Sequence, residues 1–495
     1  MNSSAPSTQF NRTQQAIWCA STLVVACALA WLPALQAVIP IEADHVMADF
    51  YKDGYLTGFG QALDWQGVWR ILGFSLVGVS INVHPLAMPL LALLTHALSV
   101  CLFVATCFRL LGDLRLALGL GIVLAVLPLG YQALVWGACY TFVLAALAFW
   151  TQLWVSTHHG DHSDKQASLF VLIALLTLIG ALSNECLLGA SLVSCAWFWI
   201  RERPSSLDVV LGNMKTYYTG WAPFAGAAVY VAAYYAFQPG YVAKQPGLFN
   251  PRSLLSAYYH PTAAFAVFGS WTSPVMRDLG FDLWGAGAIA LEIVLAALLL
   301  VLTWYGACRL PAPGAGPANL FRVGVTIGCL LFGTSLIYAI GGGFSPESRK
   351  LYPICFVMAL AAAFVLTRFS VAWPARPAAV LLVAACCVPT CWLLAGVWHF
   401  EAARSHSLAR MVAKNDIHSP IEIQSDTDPY KAWPYLIKSY GFRLHDPWLV
   451  NYTLGSLFPS HGADLRDDAP GKPTVLRYEK NFGWSVVSEQ AGPAR

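Results

Sequence analysis

The sequence predicts an all-α polytopic membrane protein, with about eleven transmembrane helices and a small C-terminal region beyond the membrane. Three observations carry that reading. Of its 495 residues, 57% are hydrophobic and only 11% are charged, whereas soluble domains carry about 25% charged residues. Mean hydropathy is +0.57. The apolar residues also fall in long runs, many of them close to the ~20 residues that a helix needs to cross a bilayer.

The first run, 16–40, is longer than a signal-peptide core of about 7–15 residues and lacks a small-x-small cleavage pattern, so it reads as a retained membrane helix. Arg12 precedes it and acidic residues follow it, which places residues 1–15 in the cytoplasm. Further spans are expected at 86–107, 116–133, 137–155, 169–183, 186–200, 217–236, 283–306, 322–341, 351–368 and 378–399. Starting inside, this ladder puts Arg109, Arg115, Lys165, Arg201, Arg203, Lys215, Arg309, Arg322, Arg368 and Arg376 on the cytoplasmic side, as the positive-inside rule requires. The opposite face receives residues 41–70, Glu185, the loop 238–282 and Ser345 to Lys350.

Two stretches need separate treatment. Residues 71–84 are apolar but too short to span, and are expected as a partly inserted helix. Residues 169–200 are expected as a hairpin pivoting on Ser183-Asn184-Glu185, because one long tilted helix would bury Glu185 in mid-bilayer at a cost of several kcal/mol. The membrane domain therefore covers 16–399. The tail, 400–495, holds eleven Lys plus Arg and eleven Asp plus Glu, with short strands expected at Thr474–Tyr478 and Trp484–Val487.

Composition excludes some classes of function. A net charge of +3 gives no large basic field, so nucleic acid is not an expected partner. The thirteen cysteines lie inside or at the ends of apolar runs and read as small packing residues. Gly341-Gly342-Gly343 precedes no Lys-Ser or Lys-Thr, which argues against nucleotide hydrolysis. His158-His159-Gly160-Asp161-His162 has metal-binding residue types but reads as a solvated loop.

The chemistry is expected at 41–70, a polar loop carrying Glu42, Asp44, Asp49, Asp53 and Asp64 between apolar runs. A carboxylate just above the bilayer can take a proton from a hydroxyl, or bind a divalent cation such as Mg or Mn through oxygen. Glu42 and Asp44 could share one such ion from an extended backbone. Arg349 and Lys350 lie on the same predicted face and suit phosphate oxygens, or alternatively anchor the chain at the interface. Glu185 can pair with Arg70 or His96. His96 itself reads as a hydrogen-bonded packing residue, and His260, in Tyr258-Tyr259-His260-Pro261, as a candidate sugar platform. Glu292 lies in a predicted span with no motif around it.

Taken in order, these segments resemble the GT-C superfamily of glycosyltransferases, particularly relatives of the protein O-mannosyltransferases. The carriers are the acidic first loop, Trp69-Arg70, His84-Pro85, Leu94-Thr95-His96-Ala97-Leu98, the stretch from Pro128 to Trp136, Ser183-Asn184-Glu185, and Arg349-Lys350-Leu351-Tyr352. They span about residues 16–370. Ala43-Asp44 stands where the family has Asp-Asp, Ile71 where it has Pro, and Asn184 where it has Lys. The resemblance implies transfer of a sugar, with inversion, from a polyprenyl-phosphate donor to a glycan, lipid or protein acceptor on the outer face, in a bacterial inner membrane. Asp44 would then be the base, with Glu42 beside it, Arg349 and Lys350 would hold the donor phosphate, and Arg70, His96, Glu185 and His260 would support them. Two other readings stay open: a transporter or flippase for lipid-linked or small solutes, and a catalytically inactive scaffold of the same architecture.

Overall fold

The computed structural model describes residues 10–36, 43–84, 86–159, 165–201, 206–237, 250–256, 258, 286–311, 320–340, 348–368, 376–414, 421–425, 474–478 and 484–486. The chain is a helical membrane protein. Its helices are α1 (Arg12–Trp31), α2 (Ala43–Tyr51), α3 (Tyr55–Gln66), α4 (Ile71–Val83), α5 (Ala87–Leu111), α6 (Leu114–Val126), α7 (Tyr131–Val135), α8 (Tyr140–His159), α9 (Gln166–Ser183), α10 (Leu188–Val193), α11 (Ala196–Trp199), α12 (Leu207–Thr216), α13 (Ala222–Ala236), α14 (Ser253–Ser256), α15 (Ala286–Arg309), α16 (Leu320–Ile340), α17 (Ser348–Arg368) and α18 (Arg376–Lys414). Among the described residues, eight helical stretches are long and apolar enough to cross a membrane, or nine if one bent pair counts as a single span.

The difference from eleven comes from interruptions that composition does not weigh. The expected span 116–133 is broken into α6 and the segment from Pro128 to Val135, bent by 43°. Proline pushes the residue before it out of the helical region, and Leu127 is extended at φ −74, ψ 118. The break exposes the last carbonyls of α6, which the interior must satisfy. Ala125 O accepts from the Trp31 indole at 2.9 Å and from His96 Nε2 at 3.3 Å, and Val126 O accepts from Cys391 Sγ at 3.2 Å. The expected span 186–200 is likewise divided into a 3₁₀ turn at Glu185–Leu187, then α10 and α11, and the expected span 217–236 into a 3₁₀ turn at Tyr218–Trp221 and α13, whose 15 residues are too few to cross a bilayer alone.

The expected hairpin at Asn184 is present, and one residue of α8 demonstrates it. Gln152 accepts from the Thr177 hydroxyl on α9 at 3.1 Å and donates to Ser194 Oγ beyond the turn at 3.0 Å and to Ser191 O at 3.3 Å. The same level of α8 therefore meets the chain before and after Asn184. Asn184 itself is extended, its side-chain oxygen accepting from the backbone N–H of Cys186.

The described arginines of the predicted cytoplasmic loops gather at one end of the bundle. Arg109 donates to Thr157 O at 3.3 Å, Arg115 to Leu310 O at 2.5 Å, and Arg322 Nε to Trp197 O at 2.8 Å. Each of these carbonyls lies in or just past the last turn of a helix, where carbonyls lack helical partners and a cation is favoured.

The acidic loop is mostly helix rather than loop: α2 and α3 fold against α4. Met47 and Tyr51 are buried on α2 and Ala62 on α3, which gives each an apolar face. The helices meet at glycines. A Cβ at Gly78 would lie 2.5 Å from Met47 O, and one at Gly58 would lie 2.6 Å from Phe50 O. With thirteen residues, α4 is about 20 Å long at ~1.5 Å per residue, short of the ~30 Å hydrocarbon layer, so residues 71–83 form the expected short helix. In the tail, α18 runs on to Lys414, past the expected boundary at Phe400. The strands β1 (Ile421–Ser425), β2 (Thr474–Tyr478) and β3 (Trp484–Val486) form a sheet, with β1 parallel and β3 antiparallel to β2.

Candidate functional site

At the end opposite the arginines, several chain segments converge on residues 136–142, the entrance to α8. Trp136 and Tyr140 flank a 3₁₀ turn, Gly137–Cys139, and both are buried. Helix α2, which carries Asp44, packs beside this turn, as does α4. Gly73 of α4 lies so close that a Cβ would come 2.5 Å from Thr141 Cγ2.

Arg349, in the first turn of α17, reaches the same segment. Its guanidinium carbon lies 5.3 Å from the centroid of the Trp136 ring and its Nη1 is 3.8 Å from Cys139 Sγ. Lys350 is tied in through its backbone, whose carbonyl accepts from the Tyr338 hydroxyl at 3.3 Å. Both side chains are half-buried. Two residues on, Gly130 approaches Tyr352 so closely that a Cβ would sit 2.8 Å from the ring.

Arg70 and Glu185 form an ion pair on the neighbouring flank, Nη2 to Oε1 at 3.3 Å. The Trp69 indole donates to the same oxygen at 3.3 Å. Arg70 lies 4.2 Å from the Trp69 ring centroid and 5.4 Å from that of Phe142, a cation-π arrangement that holds the guanidinium flat. Its backbone has φ 55, and no other described non-glycine residue has a left-handed φ. Such a conformation costs on the order of 1–3 kcal/mol. Arg70 N-caps α4, and this turn is what aims its side chain at Glu185. Glu185 opens the 3₁₀ turn after α9, and Asn184 beside it donates to Thr141 Oγ1 at 3.1 Å. Burial alone would raise the Glu185 carboxyl. The Arg70 charge, with hydrogen bonds from the turn backbone, Arg70 and Trp69, outweighs burial and holds it below its ordinary 4.5. Glu185 Oε2 and Arg70 Nε are buried with no hydrogen bond to a described residue, and so are both polar atoms of Gln66.

The site residues expected from sequence divide as follows. Arg70 and Glu185 meet directly, and Arg349 joins them through residues 136–142. Asp44 stands in the first turn of α2, so the backbone there is helical rather than extended; its side chain lies outside the described residues. Glu42 and His260 lie outside them as well. His96 is inside the bundle with both ring nitrogens used, Nδ1 accepting from the Tyr352 hydroxyl at 2.8 Å and Nε2 bound to Ala125 O. That is a structural role, fixed by the broken α6. Asp49 pairs with Lys52 at 3.4 Å on the exposed side of α2. Among the described residues no three His, Cys, Asp or Glu side chains come together as a metal cradle. Of the histidine cluster, His158 stacks on Trp154 with centroids 5.4 Å apart, and Asp161 and His162 lie outside the described residues.

Sequence reasoning missed Trp69, Asn184 and Thr141 as working parts of this end. Asn184 stands where the resembled family has lysine; here it shapes the turn that presents Glu185. Thr141 has no local signal, because its role depends on what packs against it. No protein-family model, curated protein or solved structure matches the chain.

Proposed function

We propose that the protein is an inverting, GT-C-like glycosyltransferase that moves a sugar from a polyprenyl-phosphate donor to an acceptor at the outer face of a bacterial inner membrane. The observation that carries this reading is the convergence on residues 136–142 of Arg349, the Arg70–Glu185 pair and the helix that bears Asp44. Two cations, a carboxylate and the helix that carries Asp44 thus lie at one end of a membrane bundle.

The roles follow from the chemistry. The Asp44 carboxylate takes the proton of the acceptor hydroxyl as its oxygen attacks the anomeric carbon. The bond from that carbon to the phosphate oxygen breaks on the opposite side, giving inversion, and the electron pair leaves with the lipid phosphate. Arg349 supplies a planar fork and Lys350 a point charge to the negative charge developing there. The Arg70–Glu185 pair positions α4 and the Asn184 turn around the site. A Mg or Mn ion, if bound, would use the carboxylates of residues 42 and 44.

Two measurements test the proposal. Mass spectrometry of the lipid that co-purifies with the protein should find a polyprenyl-phosphate sugar. Asp44→Asn protein, correctly inserted, should lose transfer from that donor, and wild-type rates would remove Asp44 as the base. One observation favours transport instead. Glu292 on α15 is buried and makes no hydrogen bond or ion pair with a described residue, a placement common among coupling groups. Solute flux into reconstituted vesicles without glycosyl transfer would decide for transport.

A further inference from the structure

The arginine end of the bundle contains a crevice between α6, α15 and α18, lined by Arg115, Leu118, Ile122, Thr303, Leu310 and Val380. Two polar groups on its wall are left over by the protein. Arg115 spends one Nη2 hydrogen on Leu310 O, while its Nε is buried with no hydrogen-bond partner among the described residues. Among the described residues no carboxylate pairs with it. Thr303 is 8% exposed, and its Oγ1 also has no partner among the described residues. Four other buried threonines, Thr177, Thr326, Thr334 and Thr390, each close their hydroxyl on the carbonyl four residues back, whereas Thr106, which does not line the crevice, shares the unsatisfied state of Thr303 among the described residues.

The spacing of the two groups is informative. Arg115 is near the start of α6 and bonded to the end of α15, and the ends of membrane-spanning helices are where head groups meet protein. Thr303 is seven residues inside Leu310, so its backbone lies about 10 Å deeper at ~1.5 Å per residue. A soluble anion needs one polar level. A glycerophospholipid has two, a phosphate and, deeper, its ester carbonyls, with acyl chains beyond. The flanking surface is apolar and exposed at Leu300, Val301, Trp304 and Leu382, as suits a wall facing lipid.

We propose that this crevice is a binding site for an anionic glycerophospholipid. The half-buried guanidinium of Arg115 holds the phosphate, the Thr303 hydroxyl turns outward to donate to an ester carbonyl, and an acyl chain lies along the partly exposed Val380 and the exposed Leu300 and Trp304. The net negative head group is selected by the unpaired charge of Arg115. The site is remote from residues 136–142 and does not depend on the proposed transfer reaction.

The test is native mass spectrometry of the full-length protein in detergent, titrated with phosphatidylglycerol or phosphatidylcholine. Wild-type protein should retain phosphatidylglycerol in preference, and Arg115→Gln should lower its retention by about tenfold, the loss of a charge-assisted contact. Val380→Trp fills the groove while leaving both polar groups in place, and should block retention as strongly; it decides the matter if Arg115→Gln fails to fold. Equal retention of both lipids by wild-type protein, or full retention by folded Val380→Trp, would overturn the site. Complete displacement of phosphatidylglycerol by equimolar inorganic phosphate would overturn the lipid assignment in favour of a free anion.

Discussion

Arg70 and Glu185, 115 positions apart in sequence, close against each other at 3.3 Å and fix the turn before α4 to the turn after α9. Trp69 donates to the same carboxylate oxygen and also lies under the guanidinium. Replacing either partner strands the other in a partly buried site. Arg70→Gln or Glu185→Gln should each destabilise the protein by about 1–2 kcal/mol, between the value of an exposed pair and that of a fully buried one. The double variant should cost less than the sum, and thermal unfolding in detergent across the cycle measures the coupling. Asp49→Asn is the internal comparison: its exposed pair with Lys52 should be worth under ~0.5 kcal/mol.

The same pair gives a pH dependence whose sign is fixed. The Glu185 carboxyl is held below its ordinary 4.5 in the folded protein, so folding favours the ionised form. Its contribution is fully present above the ordinary carboxylate range and is lost as pH falls through the depressed folded value. Stability measured from neutral pH down into the acid range should therefore fall more steeply for the wild type than for Glu185→Gln. Parallel curves would mean that Glu185 is not the group responsible.

Much of this architecture was legible in the chain, and the exceptions have physical causes. Long apolar runs reveal spans because burial in lipid is a property of about 20 residues together. Pro128 and the turn at Ser194-Cys195 break two of the expected spans with little change in composition, so the sequence suggested more continuous spans than the structure has. The segment 41–70 read as loop because its carboxylates stand out. Yet Met47, Phe50 and Tyr51 already mark one helical face by their i, i+3 and i+4 spacing. Trp69-Arg70 and Glu185 were both conspicuous. Their pairing was one option among several, because contacts between distant segments are settled by packing, and the glycines that set it look ordinary in sequence.

Those glycines make a prediction of their own. Gly78 lets α2 lie on α4 at backbone contact, and Asn82 on the same helix donates to Ala48 O at 2.7 Å. Gly78→Val should push α2 outward, cost about 1–3 kcal/mol as overpacking, and break the hydrogen bond between the Tyr51 and Ser75 hydroxyls. Limited proteolysis should then cut near α2 and α3 faster than in wild-type protein, with the main bundle intact.

On the proposed function, Arg349→Gln should reduce transfer by about 10²-fold or more, the scale for removing one donor to a developing negative charge. Arg349→Lys keeps the charge but loses the planar fork and the stacking on Trp136, so it should recover only part of the rate. Rates with a synthetic polyprenyl-phosphate sugar at saturating donor separate the two variants. Full activity in Arg349→Gln would remove this residue from the phosphate site.

The last prediction concerns the interior. Gln152 ties α8 to both arms of the α9–α10 hairpin, but its partners do not depend on it alone. Thr177 also donates to Ile173 O at 3.0 Å, and Ser194 to Ser191 O at 2.7 Å. When Gln152 is replaced by Met, similar in volume, both hydroxyls fall back on these local carbonyls and no buried donor is stranded. The loss should be only about 0.5–1.5 kcal/mol, in line with interhelical hydrogen bonds in membrane bundles. Gln152→Ala adds a cavity to the same loss, and should cost distinctly more. A methionine variant as damaging as the alanine variant would show that the polar network, rather than packing, holds the hairpin against α8.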